Sequence, residues 1–533
     1  MKKVCFVALA LTFIPCLTVA GEVELPRAGQ MTCWDANANV IDCYGTGQDG
    51  DIRAGVAWPN PRFTDNGDDT MTDNLTGLMW TKNGKAPGPT TCGPGTLKSW
   101  QDALNYVRCL NTTENGYLGY TDWRLPNVNE LESLVNAEQS NIGLWLRSQG
   151  FTYVYSDSYW SSTSLAGYEG YALTVFLQSG EFGTALKSNA IYVWPVRAGG
   201  SGSFRISLPK TGQTSCYDAS GSSIACTGTG QDGDLQMGSA WPGTRFVDNG
   251  DQTVTDNLTG LVWARSANVM KIRDPGFDND SGPGTPGDGA VTWQHALDYI
   301  KKLNQESYLG YNDWRLPNRK EGGSLRHYGE SDSYWWKTQG FTNIEEINAY
   351  WSCTSMAYSH PIGPAAWELV PGLAPKSYSR LVLPVRGGQV LPIVTLTIIK
   401  SGKGSGSITA DLGTISWNGN TGTVTYRGGT TIILTATPDS GSNFAGWSGG
   451  CLGRDTCGIT ANTNTQVTAD FSIKGDVNSD GAVDLTDVNV ALQVMSGIPL
   501  ATAVDANADV NGDKKIGTEE IIYILQKMAG IRQ

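Results

Sequence analysis

The residues whose spacing most directly implies chemistry lie in the acidic C-terminal stretch. Asp476, Asn478, Asp480, Asp484 and Asp487 occupy positions 1, 3, 5, 9 and 12 of a twelve-residue loop, with Gly481 at position 6 and the main chain of Ala482 at position 7. Calcium takes about six to eight hard oxygen ligands, and this spacing wraps oxygens around one ion. The frame recurs in Asp509, Asn511, Asp513, Lys515 and Glu520. There Lys514 stands where glycine is favoured, and Gly517 leaves position 9 without a side-chain ligand, so this loop is expected to use a water and to bind more weakly. Two calcium ions are the expected cofactors. Nine Asp or Glu residues against four Lys or Arg give the last 59 residues a net charge of -5.

Helices must hold these loops in place. Val488, Ala491, Leu492 and Met495 recur at helical spacing after the first loop, as do Ile521, Ile524, Leu525 and Met528 after the second. This predicts one amphipathic helix per loop with those residues forming its apolar face.

Cysteine usage adds a covalent frame. Cys33 and Cys43 recur at identical spacing as Cys216 and Cys226, so each pair is expected to form a short-loop disulfide. Cys92 and Cys109 have no counterparts in the second copy and are expected to bond to each other, as are Cys451 and Cys457. Cys353 is left over opposite Ser162, which argues for a small buried residue rather than a shared catalytic thiol. A disulfide frame suits an oxidising compartment. So does the start of the chain, whose basic, then apolar, then small residues predict a signal peptide over 1–20 and a secreted or cell-surface protein. A net charge of -13 disfavours nucleic acid and anionic membranes as partners. The 18 Trp and 21 Tyr are read first as core fillers of loop-rich β structure and second as surfaces for carbohydrate stacking.

Most of the chain is one module used twice. Leu25 to Trp80 aligns without a gap on Leu208 to Trp263, and GYLGYTDWRLPN returns as SYLGYNDWRLPN. YWSSTS answers YWSCTS, and WPVR answers LPVR. The copies span 21–199 and 200–389; a Thr-, Val- and Gly-rich all-β module follows at 390–473, and the acidic tail at 474–533. Within a copy, Asn66-Gly67 predicts a hairpin turn. Helices are expected from Trp100 and Trp293, and again after Asn127 and Asn318, each with a glutamate three residues on to complete a capping box. Gly322-Gly323 predicts that the last of these is shorter or frayed.

Four shared pairs are the best clue to the module's function: Asp122/Asp313, Arg124/Arg315, Glu130/Glu321 and Arg197/Arg386. Their ordinary roles are ion pair and helix cap. The Gly-Gln-Asp-Gly-Asp loops at 47–51 and 230–234 suit a cation or a simple turn equally well. His295, His327 and His360 all fall in the second copy, and there is no HExxH, GxSxG or P-loop, so a shared histidine-dependent catalyst is not expected.

With these motifs in view, the tail resembles a type I dockerin, the paired loop-helix module that binds cohesin domains. The resemblance implies that positions 10 and 11 of each loop, Leu485-Thr486 and Thr518-Glu519, face the cohesin. Each duplicated copy resembles the DUF1566 family, also called the Legionella collagen-like protein C-terminal domain family. That resemblance implies a fold related to C-type lectins, and adhesion or glycan binding. Neither copy carries the Glu-Pro-Asn or Gln-Pro-Asp tripeptide of calcium-dependent lectins or the paired thiols of the related oxidases, so those mechanisms are not carried over. Residues 395 to 471 resemble internalin B-repeat modules, which implies a spacer. The expected fold is multidomain: two α+β C-type-lectin-like domains, a small all-β module and an all-α EF-hand-like dockerin. The expected function is non-catalytic binding or adhesion, attached through the tail to a cohesin-bearing partner, with a glycan or other surface ligand for the copies. The alternatives are an accessory glycoside hydrolase of polysaccharide breakdown and a purely structural surface component.

Overall fold

The computed structural model describes residues 21–199, 205–279, 285–345, 349–356, 363–369, 372–500 and 503–531. The expected signal peptide and His360 lie outside them. The chain divides into two compact units, Met1–Val390 and Leu391–Gln533, and is mostly β with some helices.

In the first unit both copies build the same elements. Phe63–Asp65, Thr70–Asp73, Leu78–Thr81 and Val196–Ala198 form a four-stranded antiparallel sheet in that order. Ser158–Ser164, Tyr171–Phe176 and Glu181–Leu186 form a second sheet of three strands. The helix Trp100–Thr112 starts at Ser99, whose side chain accepts from the Asp102 N–H. The helix Val128–Ser133 starts with a complete capping box of Asn127 and Glu130. A helix not foreseen from sequence, Ile142–Ser148, is capped by Asn141. The second copy repeats these sheets and helices, with sheets running from Phe246–Asp248 to Val385–Arg386 and from Trp351–Ser355 to Leu373–Pro375, although the helices Trp293–Gln305 and Asp332–Thr338 start without a side-chain cap.

One expectation fails. The helix Arg319–Ser324 has six residues, as many as Val128–Ser133. Its capping box is intact, and its glycine has a packing reason: a Cβ on Gly322 would lie 2.8 Å from both Cδ1 and the main-chain oxygen of Leu369. Glycine here admits a neighbouring backbone instead of fraying the helix.

The N-terminal arms of the copies are exchanged. The arm of the first copy packs on the body of the second: the Thr354 hydroxyl donates to Asp49 at 2.6 Å and the Ser355 N–H to Gln30 at 2.9 Å. Asn318 donates to the Ala54 carbonyl at 3.0 Å, and Lys376 to that of Trp34 at 3.1 Å. The reverse set repeats it, with Thr163 donating to Asp232 at 2.7 Å and the Ser164 N–H to Gln213 at 2.9 Å. Asn127 donates to the Met237 carbonyl at 3.1 Å, and Lys187 to that of Asp218 at 3.2 Å. Other contacts break the symmetry, among them Arg319 and Lys320 of the second copy, which pair with Glu132 of the first at 3.2 and 2.7 Å.

The second unit opens with a five-stranded sheet and a three-stranded sheet. Alternation places Val394, Leu396 and Ile398 of the strand Ile393–Ser401 inward, against Ile432, Leu434, Val467 and Phe471. The tail follows as two loop-helix segments whose helices are Leu485–Ser496 and Thr518–Met528. It is joined to the β module where Asn443 and Ser472 both donate to the Asn507 carbonyl at 2.9 Å.

Candidate functional site

The shared residues pair with one another, and Asp122 and Arg124 of the first copy reach the seam between copies. Trp123 is locked by Asn111, which donates to its carbonyl at 2.7 Å and accepts its N–H at 2.8 Å. Arg124 then pairs backbone to backbone with Val196 and sends both guanidinium arms to Glu130, each at 2.6 Å. Glu130 also accepts the Asn127 N–H at 2.9 Å, so one carboxylate caps the helix and neutralises the arginine. Arg197 pairs with Asp122 at 2.6 Å and lies 3.9 Å over the Tyr120 ring. Arg315 and Glu321, and Arg386, Asp313 and Tyr311, repeat this in the second copy. A groove of about 390 Å³ opens here, with Leu104, Arg108, Asp122 and Trp123 from the first copy on one wall and Gly228, Asp234 and Leu235 from the exchanged arm on the other.

The Gly-Gln-Asp-Gly-Asp segments are turns. Each ends in a one-turn helix, Asp49–Ile52 or Asp232–Leu235, and the last acid folds back to accept the Gly47 or Gly230 N–H at 3.0 or 2.9 Å. The first acid is sealed into the seam. Burial pushes the Asp49 carboxyl up to about 7 and Asp232 up to about 6, the threonine hydroxyls opposing it. Both residues are 1% exposed, so neither can protonate a leaving group in an open cleft. The groove lining contains neither histidine nor cysteine. His295 packs on Phe277 and His327 between Trp241 and Trp335.

Cys33–Cys43, Cys92–Cys109, Cys216–Cys226 and Cys451–Cys457 are bonded, and Cys353 is a free, buried thiol raised by burial.

In the tail, Asp476, Asp487, Asp509 and Glu520 turn inward and are 2%, 0%, 8% and 1% exposed. Asp487 accepts the N–H groups of Val477, Asn478 and Asp484 at 2.7, 3.1 and 2.9 Å, and Glu520 those of Val510 and Gly517. Asn478, Asp480, Ala482 and Asp484 line the first loop, and Asn511, Asp513 and Lys515 the second. Position 6 is left-handed in both, at φ 95° for Gly481 and 64° for Lys514. Burial, then repulsion from Asp487 and Asp480, raises the Asp476 carboxyl. Burial acts the same way on Asp509, but the N–H groups of Lys514, Gly512 and Asn511 outweigh it and lower that carboxyl. Among the described residues no three His, Cys, Asp or Glu side chains converge as a ready metal cluster.

The tail's apolar faces follow expectation in part: Ala491 and Ile524 are in its core and Val488 and Ile521 pack against it. Its core is Val490, Ala491, Tyr523 and Ile524 with Val477 and Ala508, whereas Leu492, Met495, Leu525 and Met528 are 49%, 49%, 45% and 46% exposed. Leu485, at 61%, joins them, and Thr486, Thr518 and Glu519 are exposed.

Residues 69–197 and 252–386 each match the Lcl C-terminal domain family, and residues 396–475 match the divergent InlB B-repeat domain. The chain thus carries two Lcl-type modules and one B-repeat. No curated protein matches it. Among solved structures, a pilus-presented adhesin is 9% identical over 60% of this chain and 77% of its own, at a TM-score of 0.11, too slight a likeness to bear on fold or function. Among the described residues, no helix is long and apolar enough to cross a membrane.

Proposed function

We propose that the chain is an exported, non-catalytic adhesion-type protein whose exchanged module pair carries the ligand surface. The B-repeat serves as a spacer, and the tail as a calcium-dependent dockerin that attaches the protein to a cohesin-type partner. The presence of two Lcl-type modules beside a B-repeat fits a surface adhesion-type protein. The observation that carries the docking half is the tail's inverted surface: carboxylates inside, large apolar side chains outside.

The inward carboxylates suit a hard cation. None of the four forms an ion pair among the described residues, and sealing an anion such as Asp476 from water without a countercharge is costly. Bound calcium would supply that charge and tie each loop's ends together. Asp476, Asn478, Asp480, Asp484 and Asp487, with the Ala482 carbonyl, would hold one ion. Asp509, Asn511, Asp513 and Glu520, with the Lys515 carbonyl, would hold the other. The exposed Leu485, Leu492, Met495, Leu525 and Met528 then form the apolar centre of a partner interface.

The test is retention of the full chain on an immobilised type I cohesin domain, with calcium and after chelation. Calcium-dependent retention that Leu485→Asp abolishes is expected. Equal retention with and without calcium, or none, contradicts the docking half.

A further inference from the structure

The first copy carries a tyrosine surface that its twin lacks. Tyr155 stacks on Tyr192 with ring centroids 4.8 Å apart and planes 9° apart, and Tyr192 stacks in turn on buried Tyr159 at 5.4 Å. The stack therefore runs from the core to the surface, where Tyr155 is 36% exposed. Tyr153, two residues earlier in the chain, is 62% exposed. The Lys85 ammonium sits 5.4 Å from the Tyr155 ring centre.

Two independent observations set these rings apart from packing. First, the twin is an internal control. At the aligned positions it has Asn343 for Tyr153, Glu345 for Tyr155, Leu381 for Tyr192 and Asn268 for Lys85. The fold persists there: Ser266 bridges Thr342 as Asn83 bridges Thr152, and Tyr350 bridges Leu381 as Tyr159 bridges Tyr192. The module folds without the tyrosines. Second, Tyr153 holds φ 51° where the twin holds φ 53° with asparagine. Asparagine tolerates this left-handed region and tyrosine adopts it only at a cost, so the first copy keeps a bulky exposed ring where its own fold favours a small polar residue. Strain of this kind marks positions held for a purpose other than stability.

We propose that Tyr153 and Tyr155, backed by Tyr192 and flanked by Lys85, form a stacking platform for a neutral, β-1,4-linked pyranose chain. This rests on the reading of the module pair as the ligand-bearing part. An aromatic face attracts C–H bonds, and the flat face of a pyranose with equatorial hydroxyls presents a layer of axial C–H groups. The Tyr hydroxyls, and the Lys85 ammonium that lies over the Tyr155 ring, supply hydrogen-bonding groups for the sugar hydroxyls. Two exposed rings are too small a patch for the roughly 800 Å² per partner of a stable protein interface, which favours a sugar chain over a protein.

The test titrates the full chain with the hexasaccharides of β-1,4-linked glucose, xylose and N-acetylglucosamine, followed by calorimetry and intrinsic fluorescence. Saturable binding of at least one is expected, weakened at least tenfold by Tyr153→Asn and by Tyr155→Glu, the twin's own residues, and unchanged by Asn343→Ala. Because the twin folds with these residues, the variants should keep the parent's circular dichroism. Binding that survives both tyrosine substitutions overturns the platform while leaving the module pair a glycan binder. Silence toward all three sugars overturns it whatever the tail does. Tyrosine-dependent retention on a protein-coated surface without sugar binding also overturns it, in favour of a protein ligand.

Discussion

Asp49 and Asp232 sit at equivalent places in the seam, each accepting from a threonine of the other copy. A carboxyl raised in the folded state contributes stability that is complete below its unfolded pKa, near 3.9, and is lost as pH rises through the folded value. With folded values of about 7 and about 6, the first unit should lose stability between about pH 4 and pH 7 through these two groups. Asp232→Asn keeps an oxygen to accept from Thr163 and Thr211 but cannot ionise. Thermal unfolding should show the variant gaining on the parent as pH rises, reaching on the order of 3 kcal/mol at neutral pH, while the two match near pH 4. An unchanged difference across that range would contradict the assignment. In the tail, Lys514→Gly relieves a left-handed lysine and keeps the N–H that Asp509 accepts. It should stabilise the second loop by about 1 kcal/mol, read as a higher melting temperature of the calcium-free chain.

At the scale of elements, caps and cysteine spacings were legible because they are local. Asn127 with Glu130 and Asn318 with Glu321 form the boxes their spacing announces. Helix Ile142–Ser148 went unread because its seven residues are too few for a clear period, although Asn141 before an apolar run was a usable signal. The Gly322 misreading has a different cause: helix propensity ignores what lies across the helix, here the Leu369 backbone. Gly322→Ala, favourable by propensity alone, should therefore cost about 1–3 kcal/mol in denaturant unfolding. A neutral or stabilising result would show that the contact gives way. Of the expected apolar faces of the tail helices, Val488, Ala491, Ile521 and Ile524 turn to the core and Leu492, Met495, Leu525 and Met528 do not, because apolar residues lie on more than one side and periodicity alone cannot say which is covered.

At the scale of the whole molecule, the exchange of arms was invisible in sequence for a physical reason. The two arms are so alike that Asp49 or Asp232 could satisfy either threonine, and only the three-dimensional path of the chain chooses. The exchange makes the pair one unit, with each body finished by its twin's arm. Residues 21–389 should therefore be monomeric in light scattering, whereas residues 21–199 alone should dimerise or aggregate; a stable monomeric single copy would contradict the exchange. The proposed ligand surface would then belong to the pair, with Tyr153 and Tyr155 in one copy only. The proposed docking role of the tail rests on its buried carboxylates and exposed apolar residues, which calcium would order. Calorimetric titration of the full chain with calcium tests it most directly. Saturable binding at two sites, the tighter one lost in Asp487→Asn, is the predicted result; no saturable heat in the parent chain would contradict it.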